Sequence, residues 1–329
     1  MSDLREFHDD MRGVARDVLA KGAHWQQVVD AGWSALEVPD ALGGAGASFV
    51  ETAIVLEELG RAAAATPYLG TTLAVGALTA LAPNDSRDAL LQRIGAGATA
   101  AVATGFTVSA GRVSGCAEFV PDAGGADVVL LLAEAAGTPV VAVAPGLLVA
   151  AQPVLDETRS LATVMADGLD VAQSWPLPSG VAALTHRAAV SIACDSLGAA
   201  EAMLAATVDY ASVRRQFDRP IGSFQAVKHA CADMLVQLSV SRQLVVAAVE
   251  AIAAGEDAGV VAAMAKSHAT AAAVDVVGKA MQLHGGIGYT WESGVHVYLK
   301  RAMLNRALYG SPAQHRRSLA ARYRRDHGM

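Results

Sequence analysis

Between Ser2 and about Ile94, apolar residues recur at helical spacing, and Trp25, Val28, Val29 and Trp33 gather on one face. Turn-forming residues interrupt this pattern at 39–46 and at Pro67. Residues 48–61 read as one amphipathic helix, with Ser48 placed to cap its first turn and Gly60 at its end. From about Thr99 to Pro178 the texture changes to short β-type runs at 106–108, 127–132, 139–144 and 147–154, separated by Gly and Asp. These runs predict a small antiparallel sheet, and residues 172–180, with Pro176, Pro178 and Gly180, read as a linker. Beyond Val181 the helical period returns. Ala188, Ile192, Asp195, Ala199, Met203, Ala206 and Tyr210 lie three or four positions apart, one stripe of a long helix. Val227, Cys231, Met234 and Leu238 make a second stripe after Pro220, with Ser223 as its cap. Residues 261–283 make a third helix, stopped by Gly285 and Gly286. The pattern predicts an α+β, mostly α fold. It has an N-terminal α-helical domain over 1–97, a small middle β domain over 98–178 and a C-terminal helical bundle over 179–329.

Composition sharpens this picture. Of 329 residues, 53% are hydrophobic and 17% charged, enough apolar material for large cores and too much for a disordered chain. Aromatic residues make up only 5%, so the cores must be built from Ala, Val and Leu, which favours closely approaching helices. With 25 Lys and Arg against 32 Asp and Glu, the formal charge is −7. A nucleic-acid partner needs a basic surface to release counterions, so that class is disfavoured. The arginine-rich stretch 316–325 reads as the solvated end of the last helix, where cations suit the dipole. Cys116, Cys194 and Cys231 are far apart and form no C-x-x-C pair. They read as buried thiols in a reducing compartment, with neither a disulfide framework nor a zinc site. His229, His268, His284 and His296 show no metal spacing with carboxylates or thiols. Residues 1–11 are charged and lack the apolar core of a signal peptide. No apolar run reaches the 18 or so residues of a membrane span without Glu, Pro or Gly interrupting it. The expectation is a soluble, cytoplasmic protein with no metal, no membrane and no nucleic-acid partner.

Three segments carry more specific information. The run YASVRRQFDRPIGSFQAVKHACADM, residues 210–234, resembles the acyl-CoA dehydrogenase signature Y-A-x-x-R-x-Q-F-G-x-P-I-x-x-F-Q-x-x-x-H-x-x-A-D-M. Residues 282–292, QLHGGIGYTWE, resemble that family's Q-x-x-G-G-x-G-Y-x-x-E. Near the N-terminus, Gly32-Trp33, Val38-Pro39, Gly43-Gly44-Ala45-Gly46 and Glu57-Glu58-Leu59-Gly60-Arg61 follow in the family's order. The resemblance implies FAD at a subunit interface and removal of two hydrogens from Cα and Cβ of an acyl-CoA thioester. In such enzymes a carboxylate takes the α-proton while a hydride leaves Cβ for the flavin. The base must therefore meet Cα on the face opposite the flavin.

Both positions at which the family carries that base lack a carboxylate here. One matches Tyr309, in Leu308-Tyr309-Gly310-Ser311, and a phenol with a reference pKa of about 10 is a poor substitute near neutral pH. The other matches Ala188 on the first long helix. Asp195 is the one acid on the same stripe, seven residues and roughly 10 Å further along, and is a candidate surrogate base. The family's T-E-P-x-x-G-S-D-like segment, which contacts the flavin ring and the thioester, is missing as well. Ala103-Thr104-Gly105 runs straight into Phe106-Thr107-Val108. What remains is the set that in the family reaches across to the ADP half of a neighbour's FAD: Arg214, Gln216, Phe217, Gln282, Gly285 and Gly286. An Arg fork suits pyrophosphate, and glycines let backbone N–H groups approach phosphate. Asp218 stands where the family prefers Gly.

By this resemblance the chain reads as the base-less subunit of a heteromeric, α2β2 acyl-CoA dehydrogenase that shares FAD with a larger partner subunit. The partner would hold the catalytic Glu. Steroid side-chain CoA thioesters are the expected substrates by family analogy, and an electron-transfer flavoprotein or similar acceptor the expected electron sink. Two alternatives stay open at this point: a flavin-free scaffold or regulatory homologue, and a homo-oligomeric flavoenzyme with a non-standard base such as Asp195.

Overall fold

The computed structural model describes the backbone of residues 2–326 and the side chains of residues 6–322. The N-terminal periodicity becomes α1 (Ser2–Ala20), α2 (Trp25–Asp30), α3 (Phe49–Arg61), α4 (Tyr68–Thr79) and α5 (Asp85–Gly95). Ser48 starts α3 as the sequence predicts. Its Oγ accepts from the Val50 N–H at 3.1 Å, and Glu51 accepts from the Ser48 N–H at 2.9 Å, a reciprocal cap. Gly60 falls in the last turn of α3, one residue before its end, and also has a packing role given below.

The middle segment forms seven strands: β1 (Ala100–Ser109), β2 (Arg112–Pro121), β3 (Val128–Ala135), β4 (Thr138–Val143), β5 (Leu148–Gln152), β6 (Leu161–Asp170) and β7 (Gln173–Pro176). They make one sheet in the order β5-β6-β2-β1-β3-β4-β7. The sheet is not purely antiparallel as expected, because β1 pairs with β3 in parallel. Nor are residues 172–180 simply a linker, since β7 pairs with β4 along the sheet edge. Alternation along β1 and β3 serves two cores. Ala100, Leu130 and Leu132 pack with Ala74, Leu78 and Ile94 from α4 and α5. Ala101, Ala103, Leu131 and Ala133 pack with Val113, Val164 and Ala166. Cys116, expected to be buried, is exposed on β2.

The C-terminal half is α6 (Gly180–Val213), a short hairpin of β8 (Arg215–Gln216) and β9 (Arg219–Pro220), α7 (Gln225–Ala253), α8 (Gly259–His284), α9 (Val295–Ala307) and α10 (Pro312–Asp326). Ser223 is not the cap of α7, which begins after Phe224; its hydroxyl donates to the Pro220 carbonyl. Among the described residues, three helices are long and apolar enough to cross a membrane by length and composition, which corrects the sequence expectation. In the most apolar stretches of α6 and α8, 78% and 61% of the residues are buried in the protein, against only 28% for α7. Arg316 and Arg317 of α10 are exposed and Arg322 pairs with Asp257, as expected of a solvated end, while the side chains of residues 323–325 lie outside the described residues.

The chain forms two compact units, each drawn from more than one stretch of sequence. One compact unit comprises Met1–Leu19, Ala53–Ala64 and Ala189–Met329, the other Ala20–Thr52 and Ala65–Ala188. The first is held by side chains that sequence proximity does not reveal. Glu57 and Glu201 both accept from Arg242, Glu58 accepts from Arg16 and pairs with Arg61, and Arg61 donates to Glu201. Small residues let α3 lie directly on α6: a Cβ at Gly60 would sit 2.0 Å from the Asp195 carbonyl oxygen, and one at Gly198 1.8 Å from that of Glu57. In the second unit Arg187 pairs with Glu37, which also accepts from Thr52 at 2.6 Å.

Candidate functional site

Two segments matched at the sequence level are brought to one end of the helical unit. Tyr210, in the last turn of α6, stacks on His284 at the end of α8 with centroids 4.5 Å apart, and its hydroxyl donates to the His284 carbonyl. This contact joins the start of the Y-A-x-x-R run to the G-G run. Beyond α6 the chain turns back through β8 and β9. Phe217 and Asp218 occupy the two central turn positions, both with positive φ (52° and 63°). That is the turn geometry matched to hairpin twist, and Asp tolerates it better than most residues. The Asp218 carbonyl accepts from the Arg215 guanidinium, which closes the turn without the glycine the family prefers.

At this end Arg214, Gln216 and Gln282 are exposed, and Phe217 is 86% exposed, making an edge contact with Phe224 at 6.1 Å. Gly285 ends α8 at φ 64°, ψ −142°, a conformation essentially reserved for glycine. Nothing lies within 4 Å of where a Cβ would stand on Gly285 or Gly286. Tyr289 and Trp291 follow, 72% and 75% exposed. Sequence reasoning passed over Arg215 and Arg219, which flank the same turn; Arg219 lies over the Phe224 ring at 4.1 Å. Their signal was present in the same motif, as a second and third arginine.

The candidate base positions look different. Asp195 has no carboxylate oxygen facing a substrate: Arg301 donates Nε to Oδ1 at 2.9 Å and Nη2 to Oδ2 at 2.6 Å, and Asn305 donates to Oδ1. Asp195 and Arg301 are both 1% exposed. This geometry contradicts the surrogate-base expectation; the carboxylate is spent on neutralising a buried guanidinium. Arg301 and Asn305 stand four apart on α9, so one helix face delivers both donors. Ala188 is buried, and Tyr309 lies in the α9–α10 turn with φ 53°. The missing ring-contact segment is visible as continuity: β1 runs unbroken from Ala100 to Ser109, with only a bulge between Thr104 and Phe106 against β3. In the sheet-bearing unit a cavity of about 320 Å³ is lined by both polar and apolar groups, among them Thr66, Pro67, Thr99, Asp122, Glu157 and Arg159.

Comparison with known proteins gives the lineage. The family described as acyl-CoA dehydrogenase, N-terminal domain, matches residues 3–98, and acyl-CoA dehydrogenase, C-terminal domain, matches residues 181–323. The chain belongs to the acyl-CoA dehydrogenase family. Acyl-CoA dehydrogenase IpdE2 of Mycobacterium tuberculosis is 38% identical over 290 residues, covering 86% of this chain and 80% of that protein. Acyl-CoA dehydrogenase FadE28 of the same organism is 30% identical over 332 residues, covering 94% and 95%. Among solved structures, the ChsE4-ChsE5 complex from Mycobacterium tuberculosis matches with a TM-score of 0.87 and 25% identity over 95% of this chain and 96% of that one. The Tcur3481-Tcur3483 steroid ACAD G363A variant shares the fold, with a TM-score of 0.91 and 24% identity over 99% and 100%. The protein is thus an oxidoreductase acting on acyl-CoA, with FAD as its cofactor. Its own residues fit one end of that cofactor. The open Gly285-Gly286 backbone, the exposed arginines and Phe217 offer an outward-facing cradle for a dinucleotide's phosphates, whereas the continuous β1 offers no loop for the ring.

Proposed function

We propose that this chain is one subunit of a heteromeric acyl-CoA dehydrogenase, contributing the ADP side of a shared FAD site while a larger partner supplies the catalytic Glu. The observation that carries this reading is the split in the site. Arg214, Gln216, Phe217 and Gln282 are exposed, which supports a role toward the dinucleotide, while the carboxylate is absent from both base positions and Asp195 is locked by Arg301. FAD, when bound, accepts the hydride from Cβ of the acyl thioester. This chain's part is to bind and orient: Arg214 and its neighbours pair with pyrophosphate, Gly285 and Gly286 let the dinucleotide approach the backbone with no side chain in the way, and Phe217 packs against the adenosine. α7 supports the assembly. Most of its surface faces outward, including Leu235, Val236, Val240 and Val246, more apolar area than an isolated surface helix carries. An α2β2 arrangement would cover it.

Steroid side-chain CoA thioesters are the proposed substrates, supported by the steroid ACAD among the structural relatives and by the space that halving the number of sites leaves. An electron-transfer flavoprotein is the proposed acceptor. The homo-oligomeric alternative loses its base to Arg301.

The test is flavin absorbance per chain, with mass by light scattering, on this protein alone and after co-expression with a carboxylate-bearing dehydrogenase subunit. The expected result is a colourless chain alone and one FAD per heterodimer together. One FAD per chain in the isolated protein would overturn the reading. Turnover of the complex with steroid side-chain and short straight-chain CoA thioesters then decides the substrate class.

A further inference from the structure

From Leu235 to Ala247 every exposed residue of α7 is uncharged, and Leu235, Val236, Val240 and Val246 among them are bulky and apolar. The one charged residue inside this stretch, Arg242, is paired with Glu57 and Glu201. Exposed charge returns only towards the ends of the helix: Lys228 and Asp233 near its start, on either side of an exposed His229, and Glu250 near its end. Asp233 lies 3.9 Å from Lys279 of α8. Between His229 and Glu250 exposed positions recur alternately three and four apart, the spacing at which one helix offers a seam to another. This seam reads alike from either end. Counting inward from His229 and from Glu250, the third residue is alanine in both directions, Ala232 and Ala247, and the two counts close on Ser239 and Val240.

We propose that α7 packs antiparallel against α7 of a second copy of this chain, about a two-fold axis passing between Ser239 and Val240. In such a self-complementary contact each residue meets its counterpart twice. His229 of each copy faces Glu250 of the other, Ala232 faces Ala247, and the alanines leave room for the two axes to approach. The valines at the centre of both helices are then removed from water. The antiparallel setting also puts the positive N-terminal end of each α7 beside the negative C-terminal end of the other. A parallel pair would set Lys228 against Lys228 and Glu250 against Glu250. A bilayer fits this face less well, because the exposed charges of α7 are one lysine against two acids and not the cationic border of a membrane-surface helix. The proposal goes beyond the shared-FAD reading and stands without it, since neither flavin nor the larger subunit takes part in the contact.

Sedimentation equilibrium of the full chain alone, across the micromolar range, tests this, with each variant checked for folding by circular dichroism. The expected result is a dimer of twice the 33.7 kDa chain. Val240→Glu brings two carboxylates together beside the axis and should raise the dissociation constant about a hundredfold or more. His229→Glu, facing Glu250, should raise it about fivefold or more. His229→Glu combined with Glu250→Lys should return it to within about twofold of wild type. Within one chain positions 229 and 250 are about 30 Å apart along the helix, so that rescue has to pass through a second copy. A monomeric isolated chain would overturn the proposal, as would a dimer indifferent to Val240→Glu or a double variant no tighter than His229→Glu alone. Two further results overturn it by naming another occupant. Binding of a monomeric chain to phosphatidylcholine vesicles, lost in Val240→Glu, would give the face to lipid. A chain that associates only when a carboxylate-bearing dehydrogenase subunit is added, and no longer does so as Val240→Glu, would give it to that subunit. One FAD per isolated chain, by contrast, would end the shared-FAD reading and leave this contact untouched.

Discussion

Asp195 shows how far a residue's meaning depends on a partner that sequence does not display. On the α6 stripe it is the one acid near an empty base position, which invites a catalytic reading. Its partner Arg301 is 106 positions away, and the pair with Asn305 forms a fully buried, bidentate ion pair. Such a pair is weak evidence for stabilisation, but breaking it leaves an uncompensated charge in the interior. Asp195→Ala should therefore destabilise the chain by about 3–5 kcal/mol, read as a lower urea midpoint of the isolated protein. Asp195→Asn keeps an acceptor for Arg301 and should cost less. If Asp195→Asn left the midpoint unchanged and yet abolished turnover of the assembled enzyme, the residue would have to be returned to the catalytic machinery.

At the scale of elements, the long helices were legible because an Ala-rich apolar stripe at helical spacing has few other solutions. The two signature segments were legible too, and Tyr210 on His284 confirms that they meet. Strands β2 and β6 were not, because Gly115 and Gly168 break their alternation and their outer faces carry charge. β7 was hidden by Pro176, which the sheet tolerates because β7 is an edge strand. The Glu57-Glu58-Leu59-Gly60-Arg61 run was recognised as a family feature without its reason, which is packing. Its carboxylates grip Arg16, Arg61 and Arg242, up to 185 positions distant, and Gly60 admits the backbone of α6. This is also why α1 and most of α3 belong with the C-terminal helices instead of the N-terminal segment. Gly198→Ala tests that account. Its Cβ would fall 1.8 Å from a backbone oxygen, which no rotamer can relieve, so α3 and α6 must separate. The expected cost is about 3 kcal/mol or more, again in the urea midpoint, while alanine at the equally helical Gly278, with nothing within 4 Å, should be neutral or stabilising.

For the whole molecule, buried ionisable groups set a pH profile whose sign can be worked out. Lys266 sits at about 7 in the folded chain and near 10.4 when unfolded. Above pH 7 the folded state sheds this proton while the unfolded state keeps it, so stability rises with pH, by at most about 1.4 kcal/mol per unit. His268, lowered by burial and then by Arg316, acts in the same direction below its ordinary 6.5. Cys194 opposes them. Burial first, then Glu57 and Asp195, raise its thiol, so the folded state stays protonated while the unfolded thiol ionises from about 8.5. Buried Tyr68 adds the same sign from about 10. The urea midpoint of the isolated chain, followed by tryptophan fluorescence, should therefore climb from pH 6 to about 8.5 and flatten or fall beyond about 9. Lys266→Met should abolish most of the climb while retaining the alkaline fall, because Cys194 and Tyr68 are untouched. A midpoint that declines between pH 6 and 8.5 in wild type would mean that Lys266 keeps its full charge in the folded chain.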